Sequence, residues 1–271
     1  MTRLDDTLAR ALQGDDPRPF YAELERVSGM PGPRPNLTLL KTLGATIARD
    51  TRGGRALTDA LVASERQALF QTGVYAVAEL ASKKKLSAHE LERLHDLADE
   101  PEKARRDAVA DALADAVAAR GDEVAAALAR FTDGYLHAHV ALEALTSARA
   151  LARLSTPDEL VARFAEAFDL ADDAPRSADR SQGLRVLREG LPRQIARAVP
   201  RFGELVAFVE ARVLRERPET REVIAQTITA LRKVIGEAKA DKLRGAFTPT
   251  PKQERDAARV VHGTRRRSRG R

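Results

Sequence analysis

Apolar residues recur along the chain at intervals of three and four, the spacing that places them on one face of an α-helix. Three such stripes are Leu37, Leu40, Leu43 and Ile47; Val109, Leu113 and Val117; and Ile224, Ile228, Leu231 and Ile235. No segment alternates apolar and polar residues over the length of a strand. The pattern therefore predicts an all-α protein without β-strands.

Helix starts and breaks divide this pattern into about a dozen helices, joined by roughly 2–8 residues. Ser87-Ala88-His89-Glu90 has the sequence of a capping box. Gly190 and Pro192 predict a kink or a break within residues 182–199. Short connections make successive helices antiparallel, and each hairpin takes roughly 40 residues. We therefore predict an α-solenoid of about six stacked helical hairpins.

Two helix starts have similar amino-acid sequences. Pro101 and Pro218 each stand at a helix start with acidic residues beside them, and Arg106 and Arg221 follow about one turn later. The repetition marks these four positions as candidate repeat-stacking residues. We expect the two arginines to form hydrogen bonds that tie neighbouring hairpins together. A ligand-facing role for them is the alternative.

Three stretches carry a resemblance to a known family. They are Asp15-Asp16-Pro17-Arg18-Pro19-Phe20 with residues 28–37; the Pro101 helix with Arg106, Ala108 and Ala110; and residues 184–188 continuing to Pro218 and Arg221. On these residues the chain resembles the bacterial HEAT-repeat-like proteins, which form an armadillo-type superhelix. The resemblance implies a right-handed stack with one convex and one concave helix layer. It implies no shared activity, because this fold hosts unrelated functions.

One group of proteins with this architecture is enzymatic. HEAT-like DNA glycosylases of the alkylation-repair type hold duplex DNA on a basic concave face, and they depend on Trp residues and a catalytic Asp. This chain has no Trp. No motif in it matches one onto which that Asp could be placed. The resemblance to these enzymes is therefore one of architecture.

The composition excludes several kinds of functional site and indicates a cellular compartment. With no cysteine, the chain has no disulfide framework, no Cys-ligated metal and no Cys nucleophile. It begins without the apolar run of a signal peptide, and no stretch approaches the roughly 20 apolar residues of a membrane helix. These features predict a soluble cytoplasmic protein with no membrane partner. Its richness in Ala and Arg is typical of a GC-rich bacterial genome.

The basic character of the chain is concentrated at its C-terminal end. Residues 252–271 contain eight basic and two acidic residues, a net charge of +6. This equals the net charge of the whole chain, so the remaining residues sum to zero. We predict a solenoid over residues 1–247, and a basic helix with a disordered Arg-rich tail over residues 248–271. The candidate nucleic-acid or anion-binding residues are Lys252, Arg255, Arg259, Arg265, Arg266, Arg267, Arg269 and Arg271. A tail that only adds solubility is the alternative.

The sequence shows no metal-binding spacing of histidines and no known catalytic or nucleotide-binding motif. His89 and His95 are six residues apart, and His137 and His139 are two apart, so neither pair has the i,i+3 or i,i+4 spacing of a helical metal chelate. The chain has no G-x-S-x-G, P-loop or G-x-G-x-x-G motif. We therefore predict no catalytic residue, no cofactor site and no metal site.

The function that this sequence favours is a non-enzymatic scaffold that binds a protein partner. The alternative is a nucleic-acid-binding protein, related in architecture to the HEAT-like glycosylases, that uses the C-terminal tail. The charge of the concave face distinguishes the two, since a basic stripe would favour nucleic acid and a mixed-charge face would not. The sequence identifies neither the partner nor the oligomeric state.

Overall fold

The computed structural model describes residues 2–32, 34–83, 85–214 and 221–246, without the side chains of Arg176, Asp179 and Arg221. Within these ranges the regular structure is helical, and no strand occurs. The helices are α1 (Arg3–Leu12), α2 (Arg18–Ser28), α3 (Leu37–Arg49), α4 (Gly54–Val62), α5 (Gln67–Ser82), α6 (Ala88–Ala98), α7 (Lys103–Arg120), α8 (Asp122–Ala127), α9 (Tyr135–Leu145), α10 (Ala148–Leu151), α11 (Asp158–Asp172), α12 (Gln182–Ala198), α13 (Leu205–Val213), α14 (Arg221–Ile235) and α15 (Glu237–Ala246). Short 3-10 segments cover Leu128–Asp133 and Arg176–Arg180.

The helices form two layers. The inner layer contains α3, α5, α7, α9, α12 and α14, and each of these packs closely on the next. The outer layer contains α2, α4, α6, α8, α11 and α13, which pack mainly on inner helices and touch each other little. We call the inner layer the concave side, because the closely packed helix layer of a HEAT-like stack is the one that lines its concave face. The predicted HEAT-like α-solenoid of antiparallel helix pairs is confirmed.

Small residues allow the inner helices to approach closely. α5 and α7 bury alanines on several sides, because each lies between two inner helices and outer-layer neighbours. At Gly44 of α3, an added Cβ would lie 2.7 Å from the Cβ of Tyr75 and 2.9 Å from the Ala76 nitrogen, both on α5. Larger fully buried side chains fill the space between the layers, among them Phe20, Phe70 and Phe131.

Two local predictions change in the structure. Ser87 accepts a hydrogen bond from the Glu90 nitrogen at the start of α6, as a capping residue does. The Glu90 carboxylate, however, pairs with Arg55 and Arg93, and so it does not complete the capping box. In α12 the helix continues through Pro192 to Ala198, so the chain does not break there, and the alternative of a kink stays a prediction. Packing of α12 against α9 and α14 offsets the main-chain hydrogen bond that the proline removes.

The division of the chain at residue 247 stays a prediction, because residues 247–271 lie outside the described ranges. The described residues up to Ala246 belong to the helical stack. None of the described helices is long and apolar enough to cross a membrane.

Candidate functional site

The concave face carries a row of cavities between its inner helices. A cavity of about 400 Å³ lies between α3, α5 and α7, and it contains Lys41 and Tyr75. Next to it, a cavity of about 280 Å³ joins α7 to α9 and α12 and contains Asp111 and Glu143. A third, of about 180 Å³, extends along α7 and α12 and contains His139. We call this row of cavities the concave groove.

Asp111 is the centre of one polar cluster in this groove. Its Oδ2 accepts a hydrogen bond from Tyr75 Oη at 2.6 Å and pairs with Lys41 Nζ at 2.8 Å. Its Oδ1 pairs with Arg149, whose guanidinium also donates to the Asp111 main-chain oxygen at 2.6 Å. Asp115, one turn later on α7, lies 2.7 Å from Lys41 Nζ and 2.6 Å from Arg149 Nε. Two cations are thus shared between two carboxylates.

The electrostatic state of this cluster follows from its contacts. Burial opposes ionisation of Asp111, but hydrogen bonds from Lys41, Tyr75 and Arg149 outweigh it, so the pKa of Asp111 lies below its ordinary value. Burial and the Asp111 charge raise the pKa of Tyr75, which keeps the phenol protonated. The groove therefore contains an ionised, recessed carboxylate beside a neutral phenol.

Glu143 on α9 organises a second cluster. Its Oε2 accepts hydrogen bonds from Arg193 at 3.2 Å, from Gln194 at 3.1 Å and from Arg197 at 2.6 Å, all on α12. Burial raises the pKa of Glu143. The hydrogen bond from Arg197 is the largest of the contacts that lower it, and together these contacts bring the pKa to about 2. His139, one turn earlier on α9, has its pKa lowered to about 4, first by burial and then by the charges of Arg193 and Arg106.

The charges that line the concave groove are mixed. Its basic residues are Lys41, Lys103, Arg106, Arg149, Arg193 and Arg197, and its acidic residues are Glu79, Asp107, Asp111, Asp115, Glu143 and Glu189. The groove is thus not the basic stripe that would favour nucleic acid on charge alone. The carboxylates are recessed, since Asp111 and Glu143 are 26% and 21% exposed. Arg193, at 62%, extends further into solvent.

The residues predicted from the sequence lie mostly elsewhere. Arg106 is buried, and it donates hydrogen bonds to the main-chain oxygens of Glu100 at 2.7 Å and Pro101 at 2.6 Å. Gln182 of α12 also donates to the Pro101 oxygen, at 3.2 Å, so this loop is tied to a distant helix. Whether Arg106 acts in repeat stacking stays a prediction. Pro218 lies outside the described residues, as does the side chain of Arg221.

The predicted tail cannot be placed against this groove, because all of its candidate residues lie outside the described ranges. These are Lys252, Arg255, Arg259, Arg265, Arg266, Arg267, Arg269 and Arg271.

The groove residues themselves were missed by sequence reasoning. Asp111 and Asp115 are spaced i,i+4 on an alanine-rich helix, which places both carboxylates on one face, and this was the available signal. Their partners Lys41 and Arg149 are far away in sequence, so only the fold brings them together.

Comparison with known proteins supports the fold. No protein-family model matches the chain, and no curated protein matches it. Among solved structures, AlkD2 from Streptococcus mutans matches with a TM-score of 0.57 and 14% sequence identity. The match covers 78% of this chain and 96% of AlkD2. The chain therefore has the fold of AlkD2.

This match corrects one expectation from the sequence. The chain was expected not to be an enzyme, because it lacks catalytic motifs and Trp. The chain shares the fold of AlkD2, so the absence of those motifs and of Trp does not exclude an enzyme, and that exclusion is wrong. These comparisons give no support to the predicted protein-binding scaffold. At 14% identity it establishes the fold alone, and any role in binding or catalysis depends on the residues of this chain.

Proposed function

We infer that this protein binds duplex DNA in its concave groove. The observation that carries the proposal is the layered arrangement of charge there. At the α9–α12 end of the groove, the guanidinium groups of Arg193 and Arg197 are 62% and 36% exposed and stand over the Glu143 carboxylate, which is 21% exposed, in a fold like that of AlkD2. Phosphate groups of a duplex are the ligands that such a row of cations suits best.

The cations keep many hydrogen-bond donors for a ligand. Arg193 and Arg197 both donate to a single atom, Glu143 Oε2. A guanidinium has five N–H donors in a rigid fork, so most of the donors on these two side chains remain available for phosphate oxygens. The recessed Glu143 holds both forks near one wall of the cavity. Their positions are thereby set before a ligand arrives.

A groove of mixed charge contributes little long-range attraction, and this is the part we assign to the C-terminal tail. Binding to a duplex gains free energy when basic side chains displace counterions from its phosphates. The eight basic residues between Lys252 and Arg271 are suited to this contribution, while the described groove is close to neutral. In this proposal the tail supplies attraction that is independent of DNA sequence, and the groove orients the duplex.

Fluorescence anisotropy with a labelled duplex of about 20 base pairs, in a series of salt concentrations, tests the proposal. Arg193→Ala is expected to weaken binding about three- to tenfold with little change in the salt slope, because Arg193 is already paired with Glu143. Arg55→Ala is a matched control. Arg55 is 63% exposed and also pairs with one carboxylate, Glu90, but it lies on the outer helix α4. The control variant is expected to bind as the wild type does.

Removal of residues 252–271 tests the tail in the same assay. The shortened protein is expected to bind more weakly and with a smaller salt slope, while Arg193→Ala still weakens what remains. The proposal fails if the full chain does not bind a duplex at low salt, or if Arg55→Ala costs as much affinity as Arg193→Ala. Single-stranded DNA and duplex RNA serve as competitors, and stronger competition by either would contradict the assignment to duplex DNA.

A second candidate function, removal of an alkylated base from DNA, is favoured by Asp111. This ionised carboxylate lies in the 280 Å³ cavity of the groove. Cleavage of a glycosidic bond passes through a transition state with positive charge on the sugar, which a nearby carboxylate stabilises. Asp111→Asn is expected to abolish base release from a methylated duplex while DNA binding persists. If excess wild-type protein releases no base, this candidate fails and the binding proposal stands.

A further inference from the structure

A cluster of two histidines and an aspartate lies away from the concave groove. His95 belongs to the outer helix α6, Asp133 ends the 3-10 segment Leu128–Asp133, and His137 is in the first turn of α9. His95 Nε2 lies 2.9 Å from Asp133 Oδ1 and 3.0 Å from its Oδ2. His137 Nδ1 lies 3.3 Å from the same Oδ1. One carboxylate thus reaches both rings.

The two imidazoles are packed against each other inside a mostly closed site. Their ring centroids are 4.0 Å apart and the ring planes differ by 6°. The fully buried Phe131 packs edge-on against His95, with ring centroids 5.1 Å apart. Both Nδ1 atoms are buried and form no hydrogen bond among the described residues. Their nearest carboxylate contacts are the 3.3 Å from His137 Nδ1 to Asp133 Oδ1 and 3.8 Å from His95 Nδ1 to Asp96 Oδ1. Buried polar atoms are normally paired, so these two nitrogens need an explanation.

Gly134 lets the His137 ring pack directly against the main chain at the start of α9. A Cβ added there would lie 2.4 Å from His137 Nδ1, which is closer than two such atoms can approach. The backbone of Gly134 is extended, with φ of −145°, a conformation open to any residue. The missing side chain therefore serves no backbone requirement. It lets the His137 ring occupy the place that a Cβ would otherwise take, next to Asp133.

We propose that His95, His137 and Asp133 bind a Zn²⁺ ion. Two imidazole nitrogens and a carboxylate oxygen are a donor set that zinc accepts, whereas Mg²⁺ and Ca²⁺ prefer oxygen donors alone. The candidate ligand atoms of the three residues all lie within 4.8 Å of one another. Asp133 is 59% exposed, so a water molecule can complete the fourth position. This proposal does not depend on the proposed DNA binding.

Metal binding requires a small rearrangement of the rings. Ligand atoms at about 2.0–2.1 Å from a tetrahedral zinc ion are separated by about 3.3 Å. The present separations of 2.9 and 3.3 Å from Asp133 Oδ1 are close to this value. The stacked rings must turn so that their nitrogens converge on one point.

The sequence did not show this site because its ligands come from three elements. Within one helix, neither histidine pair has chelate spacing, and the structure agrees that His137 and His139 diverge, since His139 lines the concave groove instead. The expectation of no metal site considered pairs along one helix only. His95 and His137 are brought together by the packing of α6 against α9.

Isothermal titration of Zn²⁺ into the full chain, after treatment with a chelator, tests the proposal. One ion per chain is expected, and Co²⁺ in its place should give the absorption bands of a tetrahedral site. His137→Ala and Asp133→Asn are each expected to lower affinity at least tenfold. His89→Ala, which removes an exposed histidine from the same helix α6, is the matched control and is expected to bind as the wild type does.

Gly134→Ala keeps every ligand and is expected to weaken Zn²⁺ binding, because the new Cβ would collide with His137 Nδ1 and displace the ring. Thermal melts with and without Zn²⁺ report folding independently, and the ion should raise the Tm of the wild type and not that of Asp133→Asn. The proposal is overturned if the chain binds no Zn²⁺, or if His89→Ala loses as much affinity as His137→Ala. It is also overturned if Asp96→Asn, and not Asp133→Asn, abolishes binding, since the ligands would then be Glu92, His95 and Asp96 on α6.

Discussion

Acidification from about pH 7.5 to pH 5 should destabilise the protein through His139. This ring is held neutral inside the concave groove, where its pKa is lowered to about 4. Burial is the main cause. The positive charges of Arg193 and Arg106 act in the same direction, while Glu143 and Asp107 oppose them. A histidine in the unfolded chain has an ordinary pKa of about 6.5, so between these two values the unfolded chain binds more protons than the folded protein.

The size of the effect follows from the difference between the two pKa values. One pKa unit corresponds to about 1.4 kcal/mol, so a difference of about 2.5 limits the loss to about 3 kcal/mol below pH 4. At pH 5 the loss attributable to His139 is about 2 kcal/mol, and above pH 7 it is close to zero. Glu143 acts in a lower window. Its contribution is present above pH 4.5 and disappears only as the pH falls from there toward 2.

Urea unfolding followed by circular dichroism at several pH values measures this loss. The comparison is between wild type and His139→Gln, because burial also lowers the pKa of His137 and adds pH dependence of its own. We expect the wild type to lose about 2 kcal/mol more than His139→Gln between pH 7.5 and 5. His89→Gln, at an exposed position, should follow the wild type. Equal losses in wild type and His139→Gln would refute the reasoning.

Three further substitutions test the packing and the ion pairs by urea unfolding at neutral pH. Glu143→Gln should lower the free energy of unfolding by up to about 3 kcal/mol, which is the free energy that corresponds to a pKa lowered from 4.5 to about 2. A loss near zero would show that the arginine contacts of Glu143 add nothing to stability. Gly44→Ala should cost about 1–3 kcal/mol by overpacking α3 against α5. Gly203→Ala, with no atom within 4 Å of its new Cβ, is the control and should cost much less. Arg106→Ala should cost about 2–4 kcal/mol, because it removes two hydrogen bonds from a buried charged donor, and a loss below 1 kcal/mol would argue against a structural role.

The fold was predictable because its determinants are local. Helical spacing of apolar residues, prolines at helix starts and short connections are all written within stretches of about 40 residues. Errors arose where packing overrode a local signal. Pro192 lies inside α12 because neighbouring inner helices hold the helix on both sides. Glu90 leaves its capping position because Arg55 and Arg93 offer a stronger, charge-assisted contact.

The polar sites were not predictable, because each joins residues from separate helices. Lys41, Tyr75, Asp111 and Arg149 come from α3, α5, α7 and the start of α10, and no short motif connects them. A stack of repeats brings together positions about one repeat apart, and that separation varies with loop length. Sequence reasoning could place Asp111 and Asp115 on one face of α7, but it could not identify the side chains opposite them.

The near-neutral charge of the groove makes the contributions of the groove and the C-terminal tail to DNA affinity separable by experiment. If the groove alone bound DNA, its affinity would depend weakly on salt, because most of its cations, Lys41 and Arg193 among them, already have a carboxylate partner and release few counterions. If the tail alone bound, affinity would depend steeply on salt, and substitution in the groove would change nothing. Only joint action predicts that tail removal flattens the salt dependence while Arg193→Ala still weakens the shortened protein. That combination distinguishes the proposed interface from a basic tail attached to an unrelated solenoid.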